Sequence, residues 1–399
     1  LNKVECLLVI KIKMYPAQEG DAFLVSVETE RGTKNILIDM GLTCTYKNEI
    51  KPDLIKLNSL GQKIDLLIIT HIDQDHIQGA IDFIQENGED HKIIQVERVW
   101  HNSYRHLQFV KTGSLSEAES DILNQMILQN MPSTSEGRAS ISAKQGSSLS
   151  ALLLEYKYNW NIGSDLQAIN IDIHRNYDLD GIIIKLLSPD TDKLKKLERF
   201  WSKELNKKKY NFSITDEKIF DDAFEFFMMN HYENGAKRAN ISSSNKLDID
   251  KLSLVDADTS EVDSSPTNGS SISFVIEYDS KKLLFLADAH EDIIVKSLRE
   301  TYDDEVLYFD LIKIPHHGSN NNFSTTISNM IESKRYFVST NANKHHHPNA
   351  EVIAKIIAKP NHKTIYFNYS HDISNTIDEE ELMSKYPYNV VVTNEVEIE

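Results

Sequence analysis

An apolar run from Ile64 to Thr70 (I-D-L-L-I-I-T) stops at His71-Ile72-Asp73-Gln74-Asp75-His76, and helical apolar spacing resumes immediately afterwards. The run reads as a buried strand, so His71, Asp73, Asp75 and His76 share one tight strand-to-helix turn. Imidazole and carboxylate suit zinc, iron or manganese. The hexapeptide is too short to wrap all four groups round one ion. His71 and Asp73 lie two apart and can meet one ion, while Asp75 and His76, past the bend, meet a second. A simple helix cap needs one acidic residue and not this set. The turn is expected to be a metal site.

The pattern resembles the metallo-β-lactamase superfamily, whose defining turn is H-x-H-x-D-H. It looks most like the ComEC-like branch, named for a competence protein with a nuclease-like domain, in which the second His is Asp. The resemblance extends along the chain. Gly20 to Val25 with Ile36 to Gly41 is similar to the paired N-terminal strands that end in an Asp before a Gly. Leu284 to Ala289 resembles the strand carrying a bridging aspartate, with Ala287 where Gly is usual. Lys313-Ile314-Pro315-His316-His317-Gly318-Ser319 matches the P-H-H-G-S turn, and His347-Pro348-Asn349-Ala350-Glu351-Val352 is close to the late H-P-x-x-E-V element. The resemblance implies an α/β fold, the αββα four-layer sandwich, and two divalent transition-metal ions, zinc or manganese.

By the same resemblance Asp288 bridges the ions and His317 is the final ligand of the second. Asp75 both ligates and orients a hydroxide, and His316 and His347 join it as catalytic candidates. Asp288 ends a buried strand, where a carboxylate is costly unless paired or metal-bound. The alternative for it is a helix cap before Glu291. A bridging water between paired ions would have its pKa lowered from about 15.7 to near 7. Many superfamily members place one more His ahead of the bridging Asp. Here that stretch reads Asn268-Gly269-Ser270-Ser271-Ile272-Ser273, without His, which leaves the third ligand of the first ion unassigned. His345-His346-His347 also reads as a possible metal tract. His345 and His346 are expected to be exposed, with His347 reaching the cleft. Arg105 and His106, after a strand, are candidates for holding an anionic substrate or for an ordinary surface turn.

The rest of the chain reads as one domain over residues 1–399, interrupted between 190 and 267. Strands are expected at Leu7 to Met14, Ala22 to Glu28, Asn35 to Asp39, Ile93 to Trp100, Gly181 to Leu187, Ser273 to Tyr278 and Lys282 to Ala287. Helices are expected at Ser116 to Asn130 and Ala151 to Asn161, and Ser324 and Asn349 are placed to cap two late ones. Within the insertion, Leu194, Leu197, Trp201 and Leu205 recur at helical spacing among Lys193, Lys195, Lys196, Arg199, Lys203, Lys207, Lys208 and Lys209. That helix presents a solvated face or a contact strip for nucleic acid or an acidic partner. The tract from Ser242 to Thr267 is acidic and Ser-rich and reads as a mobile loop.

A formal charge of −18 argues against a general nucleic-acid-binding surface. It does not exclude a phosphodiester, because two bound ions would reverse the field inside the cleft. No apolar run approaches the roughly 20 residues of a membrane span. Leu1 to Glu5 lacks a signal-peptide layout, and two cysteines, Cys6 and Cys44, make no disulfide scaffold. A cytoplasmic enzyme is the expectation. Three function classes follow: a dinuclear phosphodiesterase or nuclease, an amide, thioester or lactone hydrolase, and a gated subunit of a bacterial defence assembly that binds a partner through the insertion.

Overall fold

Alternation sets the first sheet. In the computed structural model, Ile10, Ile12 and Met14 of the strand Ile10–Met14 are buried and Lys11 is exposed, the period-two pattern of a strand with one covered face. This strand pairs antiparallel with Phe23–Thr29, which pairs antiparallel with Gly32–Ile38. Leu66–Ile69 is buried along its whole length and adds parallel to Gly32–Ile38, as an unbroken apolar run predicts. Val99–His101 completes one edge and the late strand Glu395–Ile398 the other. The structure describes residues 9–107, 114–131, 147–162, 167–207, 215–231, 247–259, 261–344 and 347–399.

A second sheet runs, edge to edge, through Tyr388–Val392, Lys363–Phe367, Arg335–Val338, Leu311–Lys313, Lys281–Phe285, Ser273–Tyr278, Ile182–Ser188 and Asn176–Leu179. Its first five strands are parallel and the rest antiparallel. The two sheets meet through apolar side chains. The Phe23 ring meets Phe285 edge-on at 5.7 Å and stacks on Phe337 at 6.5 Å. Leu24, Leu37, Leu67 and Ile69 face the other way, toward Phe83 and Ile84 of the helix Gln74–Asn87. Ile293, Ile294 and Leu298 of Glu291–Thr301, with Val352, Ile353 and Ile356 of Ala350–Ile357, belong to the core of the second sheet. Each such side chain contributes about 1.5–3 kcal/mol on burial. The result is the αββα sandwich of the metallo-β-lactamase fold.

The segment 190–267 packs onto the rest of the fold. Thr191–Lys207 and Lys218–His231 form helices, and Leu197, Trp201, Leu205, Phe220, Phe224 and Met228 bury into the apolar cluster outside the first sheet. Apolar spacing gave the first helix correctly, but Lys193 is not on its cationic face. Lys193 is buried, and its Nζ donates to His290 Nδ1 at 2.9 Å and to Asp292 at 2.6 Å. Lys196, Arg199, Lys203 and Lys207 are exposed; Lys208 and Lys209 lie outside the described residues. The tract expected to be a mobile loop carries the short helix Ile249–Leu252 and the start of another, Pro266–Gly269, and buries Ile249, Asp263 and Ser265. Few apolar groups were visible there because its burial is polar.

Several elements shift. Ile93 to Trp100 yields only the short strand Val99–His101, and the helix expected to reach Asn161 ends at Glu155. Ser324 caps Thr325–Met330 by accepting the Thr326 N–H, whereas the Asn349 side chain accepts from Asn320 N–H instead of its own helix. Asp288 is no cap; His290 holds that position before Glu291–Thr301. No helix among the described residues is long and apolar enough to cross a membrane.

One cap carries a pH dependence. His371 begins the helix Asp372–Ile377, and its Nδ1 accepts the Ser374 N–H at 3.3 Å. Burial pushes this imidazole down to about 4, against the pull of Asp372. The folded state therefore resists a proton that the unfolded chain takes up near 6.5, so the contribution is full above pH 6.5 and lost as pH falls toward 4. His371→Asn keeps a capping side chain that does not titrate. Urea unfolding of the two proteins at pH 7 and pH 4.5 should show wild type losing up to about 3 kcal/mol more than the variant. Parallel losses would remove His371 from the acid response.

Candidate metal centre

Three strand ends deliver the site. Leu66–Ile69 runs into Thr70-His71-Ile72-Asp73 and then the helix Gln74–Asn87. In the facing sheet Lys281–Phe285 and Leu311–Lys313 are parallel neighbours, so Asp288 and Pro315-His316-His317 leave the sheet at the same end. Ligands of open α/β sheets gather at such carboxyl ends. Close backbone contact holds the turns in place. A Cβ on Gly20 would fall 1.8 Å from the Asp75 carbonyl oxygen, and one on Gly318 (φ 88°) would fall 2.6 Å from Pro348 Cβ.

The histidines converge on one atom. Nε2 of His71, His76, His316 and His317 lies 3.9, 3.7, 3.7 and 3.6 Å from Oδ2 of Asp288. His71 Nε2 is also 3.6 Å from Asp73 Oδ2, and His317 Nε2 is 3.7 Å from Asp75 Oδ2. Each ring is anchored by its other nitrogen. His76 Nδ1 donates to Asp39 Oδ2 at 2.9 Å, and His317 Nδ1 to the Ser339 carbonyl at 2.9 Å. The Thr70 hydroxyl donates to Asp39 Oδ2, so at 3.0 Å it accepts from His71 Nδ1. His316 Nδ1 donates to Asn322 Oδ1 at 2.9 Å.

These bonds put the proton on Nδ1 in every case and leave each Nε2 with a bare lone pair facing a carboxylate oxygen. Acceptor faces acceptor, an arrangement that calls for cations between them. The buried Nε2 atoms of His71, His76 and His317, with Asp73 Oδ1 and Asp288 Oδ1, make no hydrogen bond. Ligand atoms about 2.0–2.2 Å from a shared ion lie roughly 3.4–3.8 Å apart at open angles, which the observed separations match closely. His71, His76 and Asp288 form one possible ligand group, and Asp75, His76 and His317 another. The donor set fits divalent ions, and the anchored Nδ1 atoms are the outer contacts that orient metal-binding imidazoles.

Without a cation between them, the same groups would answer one another by taking up protons. Burial pushes Asp288 up, but the imidazoles of His317, His316 and His76 outweigh it and hold this carboxyl well below its usual range. Burial would lower His316, yet Asp288 and Asp263 raise it to about 9. Lys313, fully buried, ion-pairs with Asp21 and lies 3.9 Å from Asp288 Oδ1. Burial raises Asp21, while Lys313 and His317 bring it below the ordinary carboxylate range.

Left-handed backbone also occurs in the site. Asp39, Ala287, His316 and His317 have φ of 53°, 45°, 43° and 53°, a region that costs a non-glycine residue roughly 1–2 kcal/mol. Ala287 is thus a left-handed residue where the family resemblance has Gly. Ala287→Gly should raise stability by up to about 1 kcal/mol, since relief of strain exceeds the added chain entropy. A denaturant midpoint at or below that of wild type would show that Ala287 is unstrained.

The structure brings His71, Asp73, Asp75, His76, Asp288, His316 and His317 together and sets His347 on the same cleft, its ring 5.3 Å from that of His316. His345 and His346 lie outside the described residues. Arg105 and His106 do not reach the cleft. Arg105 pairs with Asp221 at 2.6 Å, and the His106 ring meets Trp160 edge-on at 4.6 Å. They line a separate cavity with Gln167, Asn170 and Thr191. Residues that the sequence reading missed are Asp263, His290 and Lys313. Lys313 stands beside the P-H-H-G-S turn. Asp263 and His290 carried no signal, because each acts through long-range contact.

A sequence model of the metallo-beta-lactamase superfamily matches residues 18–123, the part of the chain that holds the His71–His76 turn. No curated protein matches the chain. Among solved structures, it is similar to the metallo-beta-lactamase fold protein YhfI from Bacillus subtilis, with TM-score 0.36 and 8% identity over 98% of this chain and 99% of that one. It is similar also to a diphosphatase from the PhnP family, with TM-score 0.36 and 10% identity over 98% and 97% of the two chains. The third is CmlA, a diiron β-hydroxylase from Streptomyces venezuelae, with TM-score 0.38 and 11% identity over 98% of this chain and 54% of that one. The chain spans about half the length of CmlA.

Proposed function

We propose that this protein is a dinuclear metal-dependent hydrolase, and within that class a phosphodiesterase or nuclease. The observation that carries the metal-dependent reading is the set of anchored imidazoles whose bare Nε2 atoms face Asp288 Oδ2. The superfamily match supports hydrolysis as the reaction class. Asp73, in place of an imidazole, hardens the His71 side toward manganese-like ions. Two bound divalent ions would supply a nucleophile at neutral pH and neutralise charge developing on the substrate oxygen.

The chain's own residues account for the rest. Asp75, on the cleft wall, orients the attacking water and takes its proton. His347 donates a proton to the departing oxygen. Asp39 and Thr70 hold the His71 and His76 rings in register. The test is a substrate panel with manganese- and zinc-loaded protein: bis(p-nitrophenyl) phosphate, short single-stranded DNA, a thioester and a lactam. Turnover of the phosphodiesters with manganese the better activator is expected. Opening of the thioester or lactam alone would transfer the reading to that class.

A partner-gated variant of this reading has one observation in its favour. Met229, from the insertion helix Lys218–His231, lines the metal cleft beside Asp73 and Asp75. An assembly partner that docks on the insertion would act on that wall. In that case hydrolysis appears only when the partner is added.

A further inference from the structure

The His71 side of the centre lacks the extra imidazole usual in the superfamily, and the turn after Asn268 offers none. The family resemblance implies a catalytic role for His316. Its hydrogen bonds say otherwise. Asn322 Nδ2 faces acceptors alone: Asp263 Oδ2 at 2.9 Å and the carbonyls of Asp288 and Ala289 at 3.4 and 3.3 Å. That fixes the amide's orientation and turns Oδ1 toward His316 Nδ1 at 2.9 Å. The ring proton is therefore on Nδ1, with Asp263 Oδ2 at 3.5 Å as a second, anionic neighbour. Nε2 carries the lone pair and faces Asp288 Oδ2 at 3.7 Å, the same arrangement as in His71, His76 and His317.

We propose that His316 ligates the ion on the His71–Asp73 side through Nε2, with Asp263 and Asn322 as the residues that position it. This rests on the metal-centre part of the function above but not on any substrate. The Asp75–His76–His317 group already surrounds one position, so the imidazole, which reaches the centre beside Asp288 Oδ2, is assigned to the other. Asp263 is itself built in: its Oδ1 accepts the Ser265 N–H at 2.9 Å and its Oδ2 accepts Asn268 Nδ2 at 2.7 Å. The interrupting segment thereby supplies an outer contact of the centre. With Nδ1 committed to Asn322, Nε2 is the nitrogen aimed at Asp288 Oδ2 and so at an ion held beside it.

Cobalt(II) titration of metal-free full-length protein, followed by visible absorption and elemental analysis, tests this. Wild type should take up two equivalents. His316→Gln and His316→Ala should lose or weaken one of them by more than about 100-fold and change the ligand-field spectrum of that ion. Asp263→Asn should weaken the same equivalent by roughly 10–100-fold, as an outer contact does. His347→Ala should bind both as wild type does. Metal-free thermal unfolding of each variant controls for folding, and His316→Gln stands in if the alanine variant does not fold. Two equivalents with wild-type affinity and an unaltered spectrum in His316→Gln would overturn the proposal, as would a wild type with one equivalent indifferent to that change. Because no substrate enters the titration, its outcome is separate from whether phosphodiesters are cleaved.

Discussion

Asp288→Asn is expected to empty the centre. Wild type, purified with manganese or zinc, should carry one to two ions per chain, and the variant close to none. The carboxylate lies within 3.9 Å of all four metal-facing imidazoles, so its loss weakens both positions together. His76→Ala should do the same, because that ring takes part in both ligand groups. The loss of affinity should exceed the roughly 10–100-fold of an outer-contact change. Elemental analysis after dialysis reads the result, and unchanged metal content in both variants would end the assignment of this cluster.

His347→Ala is expected to retain its metals and lose most turnover. Proton donation to a leaving oxygen is typically worth about 10²–10⁴-fold in rate. The effect should be largest on single-stranded DNA, whose alkoxide leaving group needs a proton, and smaller on bis(p-nitrophenyl) phosphate, whose nitrophenolate does not. The contrast separates a proton donor from a residue that merely shapes the cleft, which would slow both substrates alike. Equal losses on the two would reassign His347 to binding or positioning.

The metal-binding turn was legible in six residues because its signal is local. A strand, a bend and a helix start place His71 to His76 whatever the rest of the chain does, and the late His and Asp elements carry comparably local patterns. Strand alternation in Ile10–Met14 and the unbroken run at Leu66–Ile69 likewise announced one covered face and two. Arg105 and His106 stayed open between two readings because polar residues after a strand look alike whether they meet substrate or another part of the fold. Here Asp221, 116 positions away, takes Arg105.

What the sequence by itself determined is the set of chemical groups and the short elements that carry them, since spacing and periodicity act over a few residues. Only the tertiary structure decided which of those groups meet. It turned four Nε2 atoms toward one oxygen of Asp288 and buried Lys193 against His290. It also drew Asp263, from a tract that looked like loop, to within 3.5 Å of His316. The physical reason is that a hydrogen bond or metal ligand is fixed by distance in space, and the sheets bring together residues that no local pattern relates.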